Sequence, residues 1–300
     1  MKIKQLVGLL VFVAFCIYAQ NIYGEDERRI TPISLGFTYS HPQYPANPSV
    51  TVYGLRAGVW MSGRRYDKPY HVQTDVYGLS VGLLGMDDYK VTGIQLSSLF
   101  NTADIVHGAQ TSLFFNRTES LSGIQFSLGI NSHKEAHGIC IAGLGNGAGK
   151  MTGMQIAGLG NGASDNATGI QCTLGINVVA YMGKSRKNAP MSGIQVAGLL
   201  NYADEMTGIQ LSPVMNIAPN MRGAQIGTWS NSNDMSGLQF GIANFAKELH
   251  GVQTGIFNMS KNAHGIQLGI VNHAENLKGI QIGLLNFKQG RFFPLVMIGW

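Results

Sequence analysis

An all-β repeat fold, a β-solenoid with 14–15-residue coils and capping strands, is the class this sequence predicts. Three observations carry it. A Gly-hydrophobic-Gln motif recurs from Gly93 to Gly279 at steps of mostly 14 or 15 residues. Within each copy, positions alternate with a period of two, as a strand requires. An Asn follows each motif Gly at a set distance, eight residues on in the first nine copies and seven in the last four.

Taken from the N-terminus, residues 1–24 read as a signal peptide. Lys2 and Lys4 precede an uncharged apolar run, Leu6 to Tyr18, and Ala19 offers a small residue for cleavage. The run is shorter than the roughly 20 residues a spanning helix needs. Cys16 raises a lipid-anchor alternative, which Phe15 disfavours because lipidation wants a small residue there. Without Lys2 and Lys4 the 21 basic residues become 19 against 16 acids, a net of +3, too small a surplus to point to nucleic acid. Only 12% of residues are charged and 40 of 300 are glycine, which suits a stacked or membrane-embedded β architecture.

Residues 25–75 form an N-terminal β segment or cap, with strand-like stretches at Ile33–Phe37 and Val52–Arg56. The repeat array occupies 76–291. It opens on a weak copy, Val76-Tyr77-Gly78-Leu79, and continues through Gly93, Gly108, Gly123, Gly138, Gly153, Gly169, Gly193, Gly208, Gly223, Gly237, Gly251, Gly265 and Gly279. The closing Asn residues run from Asn101 to Asn286 and include Asn216, Asn231 and Asn244. In the last copy Ile280, Ile282 and Leu284 share one face, and Gly279, Gln281 and Gly283 the other. Glycine at this density marks close backbone approach. Connectors follow Asn-x-Ala-x-x-Met/Leu-x-Gly, and Ala203 and Met206 have the character of buried residues. One connector, 178–192, is expanded and basic. Its Lys184, Arg186 and Lys187 make a candidate partner-binding loop, with a tolerated surface insertion as the plain alternative. Arg64 and Arg65 form a second small basic patch, and residues 292–300 a C-terminal strand ending on Trp300.

An outer-membrane antiparallel β-barrel of about 16 strands is the competing architecture. Three features favour the solenoid. The Asn-to-Gly connector is seven residues in nine of its twelve occurrences and keeps its pattern, where barrels alternate short turns and long loops. Neighbouring copies share a length class, as in-register stacking demands. The apolar stripe is short for a membrane strand, which wants about 9 to 11 residues. The aromatic C-terminus is the feature that favours the barrel.

Chemistry is hard to find in this pattern. Gly143 to Lys150 imitates a phosphate loop but fails its spacing, and Met151 stands where Ser or Thr is required. His107, His137, His250 and His264 each precede a motif Gly. A solenoid would stack His250 on His264, close enough to share a metal, but a solvent-facing polar row is the reading preferred for the position. Cys140 replaces a row Gln and Cys172 follows Gln171, so alternation puts them on opposite faces and both should be free. Asp204, Glu205 and Glu248 fall in connectors as solvating charges. The sequons at Asn116, Asn166 and Asn258 are by-products of the repeat. No residue is nominated for catalysis, cofactor binding or metal binding, and no cofactor is expected.

Units such as Gly193-Ile194-Gln195-Val196-Ala197-Gly198-Leu199-Leu200-Asn201, ending in the Phe292 to Trp300 segment, resemble the bacterial surface-repeat proteins of spirochaetes and similar Bacteroidetes proteins. The likeness covers roughly 76–300. It implies a cell-surface location, often as a lipoprotein, and brings no catalytic residues. The expectation is therefore a non-catalytic exported protein at the cell surface or outer membrane, structural or binding an unknown protein or envelope component. A barrel channel or transport protein is the alternative.

Overall fold

The computed structural model describes residues 29–36, 50–62, 64–65, 72–183 and 188–300. The signal-peptide reading of 1–24 and Cys16 lies outside them. Two compact units divide the chain, one through Lys134 and the other from Glu135 to Trp300. Each is a parallel β-solenoid.

In the first unit, strands Val50–Ser62, Val72–Ser97, Phe100–Ser112 and Phe115–Ser127 pair in sequence, all parallel and in register. Gly93 lies beside Gly108 and Gly108 beside Gly123, and Gln95, Gln110 and Gln125 follow suit. The same register reaches back to Gly54 beside Gly78, and Arg29–Gly36 adds a further parallel strand. In the second unit, Gly145–Ala157, Gly160–Thr173, Glu205–Ile217 and Asn220–Lys288 continue the pattern. Strand Arg291–Gly299 closes it by pairing antiparallel with Gly279–Lys288. A barrel reverses direction at every strand; these repeats do not, and that alternative is set aside.

Irregular steps are absorbed locally. The 16-residue step before Gly169 becomes a bulge opposite Gly149, between the pairs Ala148–Ala163 and Lys150–Asn166. Of the expanded connector, Asn177–Val179 stays paired to Asn201–Ala203 and Met191–Ser192 to Met206–Thr207, so both of its described ends remain in the sheet. One sequence expectation needs correction. Asn231 does not close its copy: Ser230 pairs with Asn216, and Asn231 is exposed. The change of length class therefore comes one coil early, where Pro213 and Val214 form a bulge opposite Thr228.

Glycine at the motif position is required by both backbone and space. Gly208 has φ near +134°, a region that L-residues avoid, and a Cβ built there would sit 2.0 Å from the Gly193 carbonyl oxygen. The same contact recurs along the stack, so the glycines let each coil turn while touching its predecessor. A Gly208→Ala variant should lose at least about 3 kcal/mol in a denaturant titration, through combined strain and backbone clash. Gly147→Ala, at a glycine with nothing within 4 Å of the added carbon, should change stability by less than about 1 kcal/mol.

Candidate binding face

Alternation establishes two faces, and burial assigns them. The inward residues are the motif Gln, the closing Asn, and small or flexible apolar side chains. Gln210, Asn201, Ala203 and Met206 are all buried to 1% exposure or less. The Ile and Leu of the motif point outward. This ordering inverts the usual one, and hydrogen bonding makes it stable.

Gln210 Nε2 donates to Gln195 Oε1 at 2.9 Å, and Gln225 Nε2 to Gln210 Oε1 at 2.9 Å. A second hydrogen of Gln210 Nε2 goes to the Ile217 carbonyl. Asn rows do the same in reverse: Asn201 Nδ2 donates forward to Asn216 Oδ1 at 3.0 Å and to the Leu211 carbonyl at 2.9 Å. Both the Gln210 and the Asn201 amide nitrogens face a main-chain carbonyl, so flipping either amide would set oxygen against oxygen. The two ladders thus run in opposite directions, and their dipoles oppose one another.

Directional ladders expose their own ends. Gln155 Nε2 lacks a partner because Cys140 holds the row position it would donate to. Asn244 Oδ1 lacks a donor because Ser230 precedes it. In the first unit the positive end of the Gln ladder meets an acid: Gln95 Nε2 donates to Asp88 Oδ2 at 2.8 Å. Ser80 Oγ donates to the same oxygen at 2.7 Å, and Arg56 pairs with Asp88. Burial pushes the Asp88 carboxyl above its ordinary range, opposed by the Arg56 guanidinium and these two donors. Sequence reasoning missed this cluster. Arg56 and Ser80 occupy the Gln row, two residues after Gly54 and Gly78, and Asp88 holds the position that later coils give to Ala103.

The outward side of the motif strand carries two rows, one and three residues after each glycine. From Leu79 and Val81 to Ile124 and Phe126 in the first unit, no member is charged. From Met154 and Ile156 to Ile280 and Ile282 in the second, again none is charged. Ile124 is 49% exposed and Phe240 53%. A third apolar row follows on the adjoining bend at Leu159, Leu174 and Leu199. Monomeric soluble proteins rarely show contiguous apolar patches beyond a few hundred Å².

Charge collects instead around the corner before each glycine. Lys150 Nζ meets Glu135 Oε1 at 2.8 Å and Lys134 Nζ meets Glu119 Oε1 at 2.6 Å, one coil apart in each case. Such exposed pairs contribute little. An open groove of about 570 Å³ runs along this corner, lined by Glu205, Arg222, Asp234, Glu248 and His250 among others.

His107 and His137 are exposed, and His250 stacks on His264 with ring centroids 4.9 Å apart and 7° between planes. Cys140 is buried and Cys172 is half-buried on the opposite face, and no disulfide joins them. The phosphate-loop lookalike is strand from Gly145 onward. Lys184, Arg186 and Lys187 lie outside the described residues, and Arg64 and Arg65 pair antiparallel with Gln73 and Val72. What holds the base of the expanded connector is Asp204: its Oδ2 accepts from Tyr181 N at 2.8 Å and Ala189 N at 3.2 Å. Asn188 Nδ2 adds a bond to Glu205 at 2.7 Å. Asp204 is thus a clamp, where sequence reasoning saw a solvating charge.

His133 supplies a measurable signature of the buried interior. It occupies the row position of Thr118, its Nδ1 lies 3.3 Å from Gln125 Oε1, and burial lowers its pKa to about 4. The unfolded chain binds the proton first, at about 6.5. Stability from neutral His133 is therefore present above pH 6.5 and lost as pH falls toward 4, about 3 kcal/mol in all. Urea titrations across that window should show the loss in the parent chain and a shallower slope in His133→Thr. Equal slopes would place His133 in water.

Comparison with protein-family models, curated proteins and solved structures finds no match for this chain.

Proposed function

We propose that this chain is a non-catalytic, exported repeat protein of the cell surface or outer-membrane region, whose outward apolar rows dock onto a partner in the envelope. The single observation that carries this reading is the uncharged, water-exposed sheet face. Leaving such a face in water is unfavourable by about 25 cal/mol per Å². A chain that places Ile, Leu and Phe outward in copy after copy, and confines its charges to another corner, has an apolar surface to meet.

Further support comes from how the interior is used. The Gln and Asn carboxamides are engaged with one another and with main-chain carbonyls, so the repeat's polar groups serve the coil itself. Export rests on the basic and apolar pattern of residues 1–24. The resemblance to surface-repeat proteins points to the same compartment.

Fractionation of cells producing the full chain tests the proposal. The protein should travel with the envelope, resist high salt and be released by detergent. A variant with Ile94→Thr, Leu96→Thr, Ile124→Thr and Phe126→Thr should shift to the soluble exported fraction with its circular dichroism unchanged. A parent chain retained in the cytoplasm, or a variant still held in the envelope, would overturn the proposal.

A further inference from the structure

We infer that the apolar face of the second unit is a self-association surface, which a second copy of this chain covers face to face. This rests on the docking role proposed above and names the occupant of the second unit's face, with the first unit's apolar rows left to meet the envelope.

The dimensions suit a protein partner. Nine coils, from the one beginning at Gly153 to the one at Gly279, stack in this unit. At about 4.8 Å per coil they span about 43 Å. From the residue after the glycine to the leucine on the bend is five residues, about 17 Å of extended chain. The strip therefore offers roughly 700 Å², close to the about 800 Å² per partner of a stable interface. Its two central rows are wholly uncharged, and depletion of charge is what marks interface cores.

The relief of the strip matches a twofold partner. Phe240, 53% exposed, is the most exposed member of its two motif rows. Thr254 holds the same row one coil on, and Ala224 the row of Leu238 one coil back. A twofold axis along the strands, between the coils of Gly237 and Gly251, would set Phe240 of each copy over Thr254 of the other. Leu238 would then face Val252. Both copies have the same rise per coil, so rows aligned at this axis remain aligned along the strip. Sheets packed in this way lie about 10 Å apart with their strands aligned. Such an interface is isologous and closes at two subunits.

A bilayer is the other apolar surface this face could meet. Peripheral association with anionic lipid draws on flanking lysines and arginines. The row beside the strip is mostly Ser, Thr and His, with Arg222 and Lys278 its formal cations in this unit. The face thus has the apolar area for a membrane but little of the basic flank.

Sedimentation equilibrium of the full chain, freed of detergent, tests the inference together with flotation on vesicles of phosphatidylethanolamine and phosphatidylglycerol. The parent chain should sediment at twice its monomer mass. Phe240→Thr and Thr254→Lys should each weaken the dimer at least tenfold. Ser236→Lys, off the strip, should leave it intact. Circular dichroism and melting curves establish that each variant is folded. A monomeric parent that floats with vesicles would overturn self-association and leave the docking role standing. A monomer that neither dimerises nor floats would overturn both. A dimer insensitive to Phe240→Thr and Thr254→Lys would overturn the assignment of this face.

Discussion

A primary carboxamide buried in a dry interior must find partners for two hydrogens and an oxygen, and most coils here bury two of them. Neighbours within the coil cannot satisfy them all, because most other inward positions are Ala, Met, Leu, Val or a short hydroxyl side chain. The coils above and below can, being about 4.8 Å away in register. Gln bonding to Gln and Asn to Asn along the axis, with a main-chain carbonyl taking the second hydrogen, completes the set. An unsatisfied buried group costs about 1–3 kcal/mol, so any slip of one coil against the next is penalised at two amides at once. Register, coil length and the motif glycine all follow from this requirement. Gly208 lets its coil approach Gly193 closely enough for the rungs to connect.

The same requirement decides what faces water. With amides, alanines and methionines filling the interior, the branched and aromatic residues of the motif strand are left outside. They strengthen the strand through β propensity, and they also create an exposed apolar strip. Structural need would be met by Thr as well as by Ile at these positions. The sequence places Ile, Leu or Phe there in most copies and a charge in none, and the excess of apolar area over what the fold requires is what points to a partner.

Much of this was legible in the sequence, and the omissions have physical causes. Periodicity and constant connectors identified parallel coils, and Ala203 and Met206 were correctly placed inside. Alternation alone could not say which face of Ile280-Gln281-Ile282 turns inward, since that depends on whether an amide has a partner one coil away. Asn231 was misassigned because distance was counted from the preceding Gly223, across a bulge. Counting back five residues from Met235 reaches Ser230, just as five back from Met206 reaches Asn201 and five back from Leu249 reaches Asn244. Arg56 and Asp88 escaped notice because the first coils match the motif poorly, yet both stand in rows whose inward direction is set by Gly54 and Asn101. Asp204 looked like a solvated charge because its partners, the amides of Tyr181 and Ala189, belong to an insertion more than a dozen residues upstream.

Side-chain hydrogen exchange of the glutamines tests the central claim most directly. In a chain carrying 15N on its Gln carboxamides, the ladder members from Gln155 to Gln281 should exchange orders of magnitude more slowly than free carboxamides, as the backbone amides of the same coils do. Gln289, exposed in the final turn, supplies the fast internal reference. Ladder carboxamides that exchange as quickly as Gln289 would mean that the Gln face meets water and the Ile face the interior, and the account would be wrong at its foundation.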